Sequence, residues 1–73
     1  MKFEEILDEL ETISSTLERG DLSLEEGIDL YNKGLDLSKQ AVTMLREGKG
    51  KITLLSDELG KLAENAFEVD DND

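Results

Sequence analysis

Apolar residues recur at steps of three or four along most of the chain, which is the spacing of one face of an α-helix. In the first segment, from Phe3 to Arg19, acidic residues fill much of the opposite face. Gly20 follows directly, and glycine commonly ends a helix because it adopts the left-handed conformation without a steric penalty. The pattern predicts an amphipathic helix with the apolar stripe Phe3, Ile6, Leu7, Leu10, Ile13 and Leu17.

A second helix is predicted to begin at a capping box. Residues 23–26 read Ser-Leu-Glu-Glu, so Ser23 takes the N-cap position and Glu26 lies three residues later, where each side chain can bond the other's backbone N–H. Two residues separate Gly20 from Ser23, and so short a connection favours two antiparallel helices. We predict a turn at Gly20 and a long second helix that runs to about Glu47.

The second segment carries apolar residues over an unusually wide arc. They span about 200° of the helix, whereas a surface helix buries a stripe nearer 100° wide. One antiparallel arm cannot cover both parts of this arc, so we expect a second helical neighbour. One part is a heptad-spaced stripe made of Leu24, Ile28, Tyr31, Leu35, Val42 and Leu45.

The other part contains a row of small residues at 27, 34 and 41. This row is either a tolerated loss of helix propensity, with an Asn-Lys-Gly turn at 32–34, or a place where another helix approaches closely. The exact seven-residue spacing beside large apolar residues favours close approach. We therefore predict that this face binds a partner subunit or a sister copy through Gly27, Leu30, Gly34, Leu37, Ala41 and Met44.

A third segment, from Lys51 to Phe67, repeats the helical pattern with Ile52, Leu55, Leu59, Leu62 and Ala66. It follows Gly48 and Gly50, which together cost about 2 kcal/mol of helix propensity relative to alanine. The chain could kink, fray or turn back at these glycines. The segment is either a third helix of a bundle or a helix that forms on binding a partner.

These elements predict an all-α fold. An antiparallel helical hairpin with a long second helix occupies 1–47, a glycine-interrupted amphipathic segment occupies 48–67, and an acidic tail predicted to be disordered occupies 68–73. The third segment would complete a spectrin-repeat-like bundle or a coiled coil. Since a chain of 73 residues buries a limited core, we also expect it to associate with a partner.

The charge excludes several classes of partner. Eight basic and nineteen acidic residues give a net charge of −11, which would repel nucleic-acid phosphates and anionic membrane surfaces. Three aromatic residues are too few for a base-stacking platform.

The N-terminus lacks the layout of a signal peptide, and no apolar run approaches the length of about 18 residues of a membrane span. We expect a cytoplasmic protein.

The residues offer no recognisable catalytic or cofactor chemistry. Cysteine and histidine are absent, which removes thiolate zinc sites and the commonest general base. Acidic clusters at 4–9 and 70–73 could hold Mg²⁺ in principle, but a solvated helix face and tail explain them more simply. The sequence Gly-Lys-Gly-Lys at 48–51 lacks the Ser or Thr of a phosphate-binding loop. We predict no catalytic, metal or cofactor residues.

Several blocks of sequence resemble the small subunit of exodeoxyribonuclease VII. They are LERGDLSLEE at 17–26, FEE at 3–5, LETI at 10–13 and YNKG at 31–34, with Leu37 following. The resemblance covers about residues 3–47, with weaker similarity to about Leu55. Gly27 replaces an expected alanine, and the glycines at 48 and 50 replace helix formers.

This resemblance implies a function. It implies a non-catalytic helical hairpin, present in several copies, that binds the long helical region of a large subunit. That large subunit would carry the hydrolase activity, degrading single-stranded DNA from both ends into oligonucleotides. Whether this chain counts as an enzyme then depends on its partner, since it would be one subunit of a hydrolase.

Two other functions remain open on the residues alone. One is a generic acidic helical adaptor or coiled-coil assembly module, which need not share the hairpin sequence. The other is an acidic DNA mimic that inhibits a nucleic-acid-binding protein, and its binding would be sensitive to salt. In isolation we expect a homo-oligomer, a dimer of hairpins joined through the uncovered stripes.

Overall fold

The computed structural model describes residues 1–68, which form three α-helices and contain no strand. The helices are α1 (Phe3–Arg19), α2 (Leu24–Arg46) and α3 (Ile52–Glu68). The prediction of an all-α fold is confirmed. Of the acidic tail predicted at 68–73, Glu68 ends α3, and residues 69–73 lie outside the described residues.

Side-chain and backbone hydrogen bonds define where α1 ends and α2 begins. Gly20 has a left-handed φ of 75°, and its N–H donates to the Leu17 carbonyl over 3.3 Å. The Ser23 hydroxyl accepts from the Glu26 N–H over 3.1 Å, and the Glu26 carboxylate accepts from the Ser23 N–H over 2.9 Å. The chain therefore reverses within a few residues, and α2 begins at a reciprocal capping box.

The first helix is the centre of the fold. It packs against both other helices, and α2 and α3 contact each other less than either contacts α1. Full burial of a Leu, Ile or Phe side chain contributes about 1.5–3 kcal/mol, so the buried apolar stripe of α1 contributes strongly to stability. The buried apolar core is Phe3, Ile6, Leu10, Ile13 and Leu17 from α1, Leu37 and Ala41 from α2, and Leu55 and Leu62 from α3.

The turn from α2 to α3 is fixed against the start of α1. Gly48 has a left-handed φ of 76°, and the Lys49 N–H donates to the Met44 carbonyl over 2.9 Å. A Cβ on Gly50 would lie 2.5 Å from the Phe3 ring, so the ring rests directly on the Gly50 backbone. Of the two alternatives for the third segment, the structure has the helix that folds back into the bundle.

Two further contacts hold α3 in place. A Cβ on Gly34 would lie 2.8 Å from Leu62 Cδ2, so the Leu62 side chain occupies the space that a larger residue on α2 would fill. On the side facing α1, Asn65 Nδ2 donates to the Ser14 carbonyl over 2.9 Å. Asn65 and Ser14 are both buried, and a buried amide without a partner would be costly. The position of α3 is thus specified by packing and by one polar contact.

We predict opposite stability effects for the same substitution at two glycines. Gly50→Ala should lower the free energy of unfolding by about 1–3 kcal/mol, because its Cβ overlaps the Phe3 ring. Gly60→Ala is the matched control within α3, where no atom lies within 4 Å, and it should raise stability by about 0.5–1 kcal/mol. Urea unfolding followed by circular dichroism measures both, and equal effects at the two sites would contradict the Phe3 contact.

Candidate interaction surface

The side chains that could ligate a metal ion are dispersed over the described part of the chain. Among residues 1–68, no group of three or more His, Cys, Asp or Glu side chains could hold a metal ion. Within the same range, no helix is both long enough and apolar enough to span a bilayer. The segment at 48–51 forms the turn between two helices, not a loop that follows a strand.

The six residues predicted to bind a partner face the chain's own helices. Gly34, Leu37 and Ala41 are buried in the core. Leu30 and Met44 are half-buried and pack against that core. Close approach across the row of small residues is thus made by α1 and α3 of the same chain. Contact of this face with another subunit stays a prediction.

The other apolar stripe of α2 faces solvent. Leu24 is 75% exposed and Ile28 is 51% exposed, and Leu35 and Val42 are also exposed. Tyr31 and Leu45 belong to the same stripe and are half-buried. The steps from 24 to 28, 31, 35, 38, 42 and 45 alternate between four and three, which is the a/d spacing of a coiled coil. We call these seven positions the α2 seam; its member Ser38 is buried.

The C-terminal half of the α2 seam borders a shallow apolar groove between α2 and α3. The groove exists because α1 holds both helices more closely than they hold each other. At its end, Ile52 is 71% exposed. Grooves of this kind accept the apolar face of a helix. The groove is lined by Val42, Leu45, Arg46, Ile52, Leu55, Ser56 and Leu59.

The two flanks of the α2 seam differ. One flank is the small-residue row that α1 and α3 cover. The other flank is exposed and changes from acidic to basic along the helix, with Glu25 near its start, Asn32 and Lys39 in the middle and Arg46 at its end. A helix lying on the seam would meet this charge gradient along one side. Such charges set the orientation of a partner more than its affinity.

The sequence contained a signal for this surface. The sequence shows the heptad spacing of the seam, whereas the predicted partner-binding residues belong to the small-residue row. Two of the three a positions, Ile28 and Val42, are β-branched, and β-branched residues at a are typical of parallel two-stranded coiled coils.

The chain is similar to proteins of one family. The family model described as exonuclease VII small subunit matches residues 3–54. A curated relative from Caldanaerobacter subterraneus subsp. tengcongensis, named exodeoxyribonuclease 7 small subunit, is 50% identical over 56 residues, covering 77% of this chain and 75% of the relative. A protein of the same name from Pseudomonas aeruginosa is 34% identical over 70 residues, covering 96% of this chain and 88% of the relative. No solved structure matches.

We predict that Gly34→Leu destabilises the isolated chain by about 1–3 kcal/mol or more, because the new side chain overlaps Leu62 in the core. Gly27→Ala serves as the control, since its Cβ would lie 3.9 Å from Leu17, an ordinary contact. It should raise stability by about 0.5–1 kcal/mol through helix propensity. Thermal unfolding monitors both variants, and a Gly34→Leu chain as stable as the wild type would show that α3 does not pack there.

Proposed function

The chain belongs to the exonuclease VII small-subunit family, and we propose that it is the non-catalytic subunit that binds the large subunit of exodeoxyribonuclease VII. As the family resemblance implies, the large subunit would degrade single-stranded DNA to oligonucleotides. The small subunit would act through its surface, without cofactor and without contacting DNA itself. We place it in the cytoplasm.

The observation that carries this proposal is the exposed α2 seam. The chain is small and has few apolar residues for its core. Four large apolar side chains on one stripe of α2 are nevertheless exposed to water: Leu24, Ile28, Leu35 and Val42. Burying each of them would contribute about 1.5–3 kcal/mol at most. A helix of the large subunit that lies along the seam and enters the α2–α3 groove would recover this energy, as in other helix-in-groove complexes.

The net charge of this chain supports a model in which the large subunit, and not the small subunit, binds DNA. Nucleic-acid binding draws much of its affinity from neutralisation of phosphates by Lys and Arg. With a net charge of −11, this chain would oppose such binding. We therefore assign the DNA contacts to the large subunit and a protein-binding role to the small subunit.

Family membership favours this function over a generic acidic adaptor. An acidic DNA mimic remains a distinct alternative, since it would use the charge as its binding determinant. The isolated chain is also proposed to self-associate, because the seam is open when the large subunit is absent.

We predict that the α2 seam is required for capture of the large subunit. Ile28→Asp places a charge near the N-terminal end of the seam and should reduce capture at least tenfold, which corresponds to about 1.4 kcal/mol. Leu54→Asp is a matched control, because Leu54 is 44% exposed and lies outside the seam and the groove lining. The measurement is co-purification of tagged chains from native cells, with the eluates assayed on single-stranded DNA.

This experiment tests the proposed function and the proposed interface separately. If the wild-type chain retrieves no nuclease subunit, the proposed function is wrong. If the nuclease comes down equally with wild type and Ile28→Asp, the function stands and the seam is not the interface. Circular dichroism of both variants shows whether they retain the helical fold.

We also predict that the complex tolerates salt. An apolar helical interface depends weakly on ionic strength, whereas a DNA mimic bound through its charge is screened as the Debye length falls from about 10 Å at 0.1 M to about 3 Å at 1 M. Washing the immobilised complex at rising NaCl concentration should leave most of the large subunit bound at 1 M. Release over the first few tenths molar would favour the mimic.

A further inference from the structure

The interface between α2 and α3 is the least extensive of the three helix interfaces. Each of these two helices contacts α1 more than it contacts the other. The apolar groove separates their outer faces, with Val42 and Leu45 on one side and Ile52 and Leu59 on the other. Regions with few buried contacts open at a lower free energy than the rest of a fold. The bundle is therefore expected to open first between α2 and α3.

The contacts that position α3 attach it to α1 at two points. Near its start, the Phe3 ring lies on the backbone of Gly50. Further along, Asn65 Nδ2 donates to the Ser14 carbonyl over 2.9 Å, and both residues are buried. The contact of Leu62 with Gly34 of α2 is apolar by comparison. Separation of α2 from α3 leaves both attachments to α1 intact, so α3 would stay on α1.

The small-residue row of α2 lies at the inner end of the groove. Ala41 is one helical turn from Leu45 of the groove lining, and Leu62 is one turn from Leu59. The groove therefore leads inward to the contact between Leu62 and Gly34, where Gly34 and Ala41 are buried. This face already accepts a leucine side chain from α3, so its shape also suits a leucine from another helix.

We infer that α2 and α3 separate while α3 stays on α1, and that a helix of the large subunit inserts between them and packs on Gly34 and Ala41. This inference rests on the proposed function and adds a conformational step to it. In the closed bundle a partner helix reaches the seam and the groove, but Leu62 covers Gly34. Capture of the large subunit then depends on opening of the bundle as well as on the exposed seam.

The surfaces that would enclose the inserted helix define its chemistry. Its inner face needs a leucine or a residue of similar size to take the place of Leu62 at Gly34. Its other sides meet the apolar side chains of Leu55 and Leu59. Arg46 is the charged residue of the groove lining, and an acidic residue of the helix would pair with it. The occupant is thus an amphipathic helix of the kind that binds apolar grooves.

Thiol labelling tests the movement in the chain alone, which has no native cysteine. Leu62→Cys places a thiol at the α2–α3 contact, and Ser14→Cys places one at the α1–α3 contact. The two native residues are 2% and 3% exposed. After correction for global unfolding measured in urea, the thiol at position 62 should react with a water-soluble reagent at least tenfold faster. Equal corrected rates would show that α2 does not part from α3 separately, and would overturn the inference.

A disulfide between positions 34 and 62 tests whether the opening is needed for binding. A Cβ on Gly34 would lie 3.7 Å from Leu62 Cγ, the place that a cysteine sulfur takes, so the bridge needs only a small adjustment. Gly34→Cys combined with Leu62→Cys also removes the leucine that a Cβ at position 34 would overlap. The oxidised double variant should capture at least tenfold less large subunit than the reduced one, although its seam is unchanged. Leu62→Cys alone should capture equally in both states.

The capture results distinguish this inference from the proposed function. If the wild-type chain retrieves no nuclease subunit, the proposed function is wrong and the inserted helix is wrong with it. If the oxidised and reduced double variants capture equally, the function stands and the opening is overturned. Mass spectrometry and circular dichroism show whether the bridge forms within one helical chain. Where the double variant does not fold, the labelling rates decide.

Discussion

The fold depends on the burial of one stripe of α1 between the other two helices. Ile6 and Leu10 are almost completely buried, and Phe3 rests on the backbone of Gly50 at the far turn. Since α2 and α3 contact each other less than either contacts α1, neither would hold its position without this stripe. Gly34 leaves space for Leu62 of α3, and Gly50 leaves space for the ring of Phe3.

The central position of α1 also explains why the opposite side is open. Two helices held apart by a third leave a groove between their outer faces, and α2 brings a second apolar stripe to that groove. This exposed apolar stripe lowers the solubility of the chain, and the net charge of −11 raises it.

Local signals made the helices predictable, whereas long-range packing did not follow from the sequence. The bounds of α1 and α2 agree closely with the prediction, because a glycine turn and a capping box act within a few residues. Whether the third segment folds back depends on Phe3 meeting Gly50, which is 47 positions away. Which stripe of α2 turns inward depends on Leu62 filling the space at Gly34. Both stripes have helical periodicity, so spacing alone could not choose between them.

The order of the helices has a consequence for synthesis on the ribosome. The first helix to emerge needs the last for its cover, since Leu55 and Leu62 of α3 complete the core around α1. At about 5–20 residues per second, the 22 residues from 47 to 68, which include α3, take on the order of 1–4 s to be synthesised. During that interval the nascent chain exposes the inner face of its hairpin as well as the seam. Neighbouring chains translated from one message would then be close enough to exchange helices before each has closed its own core.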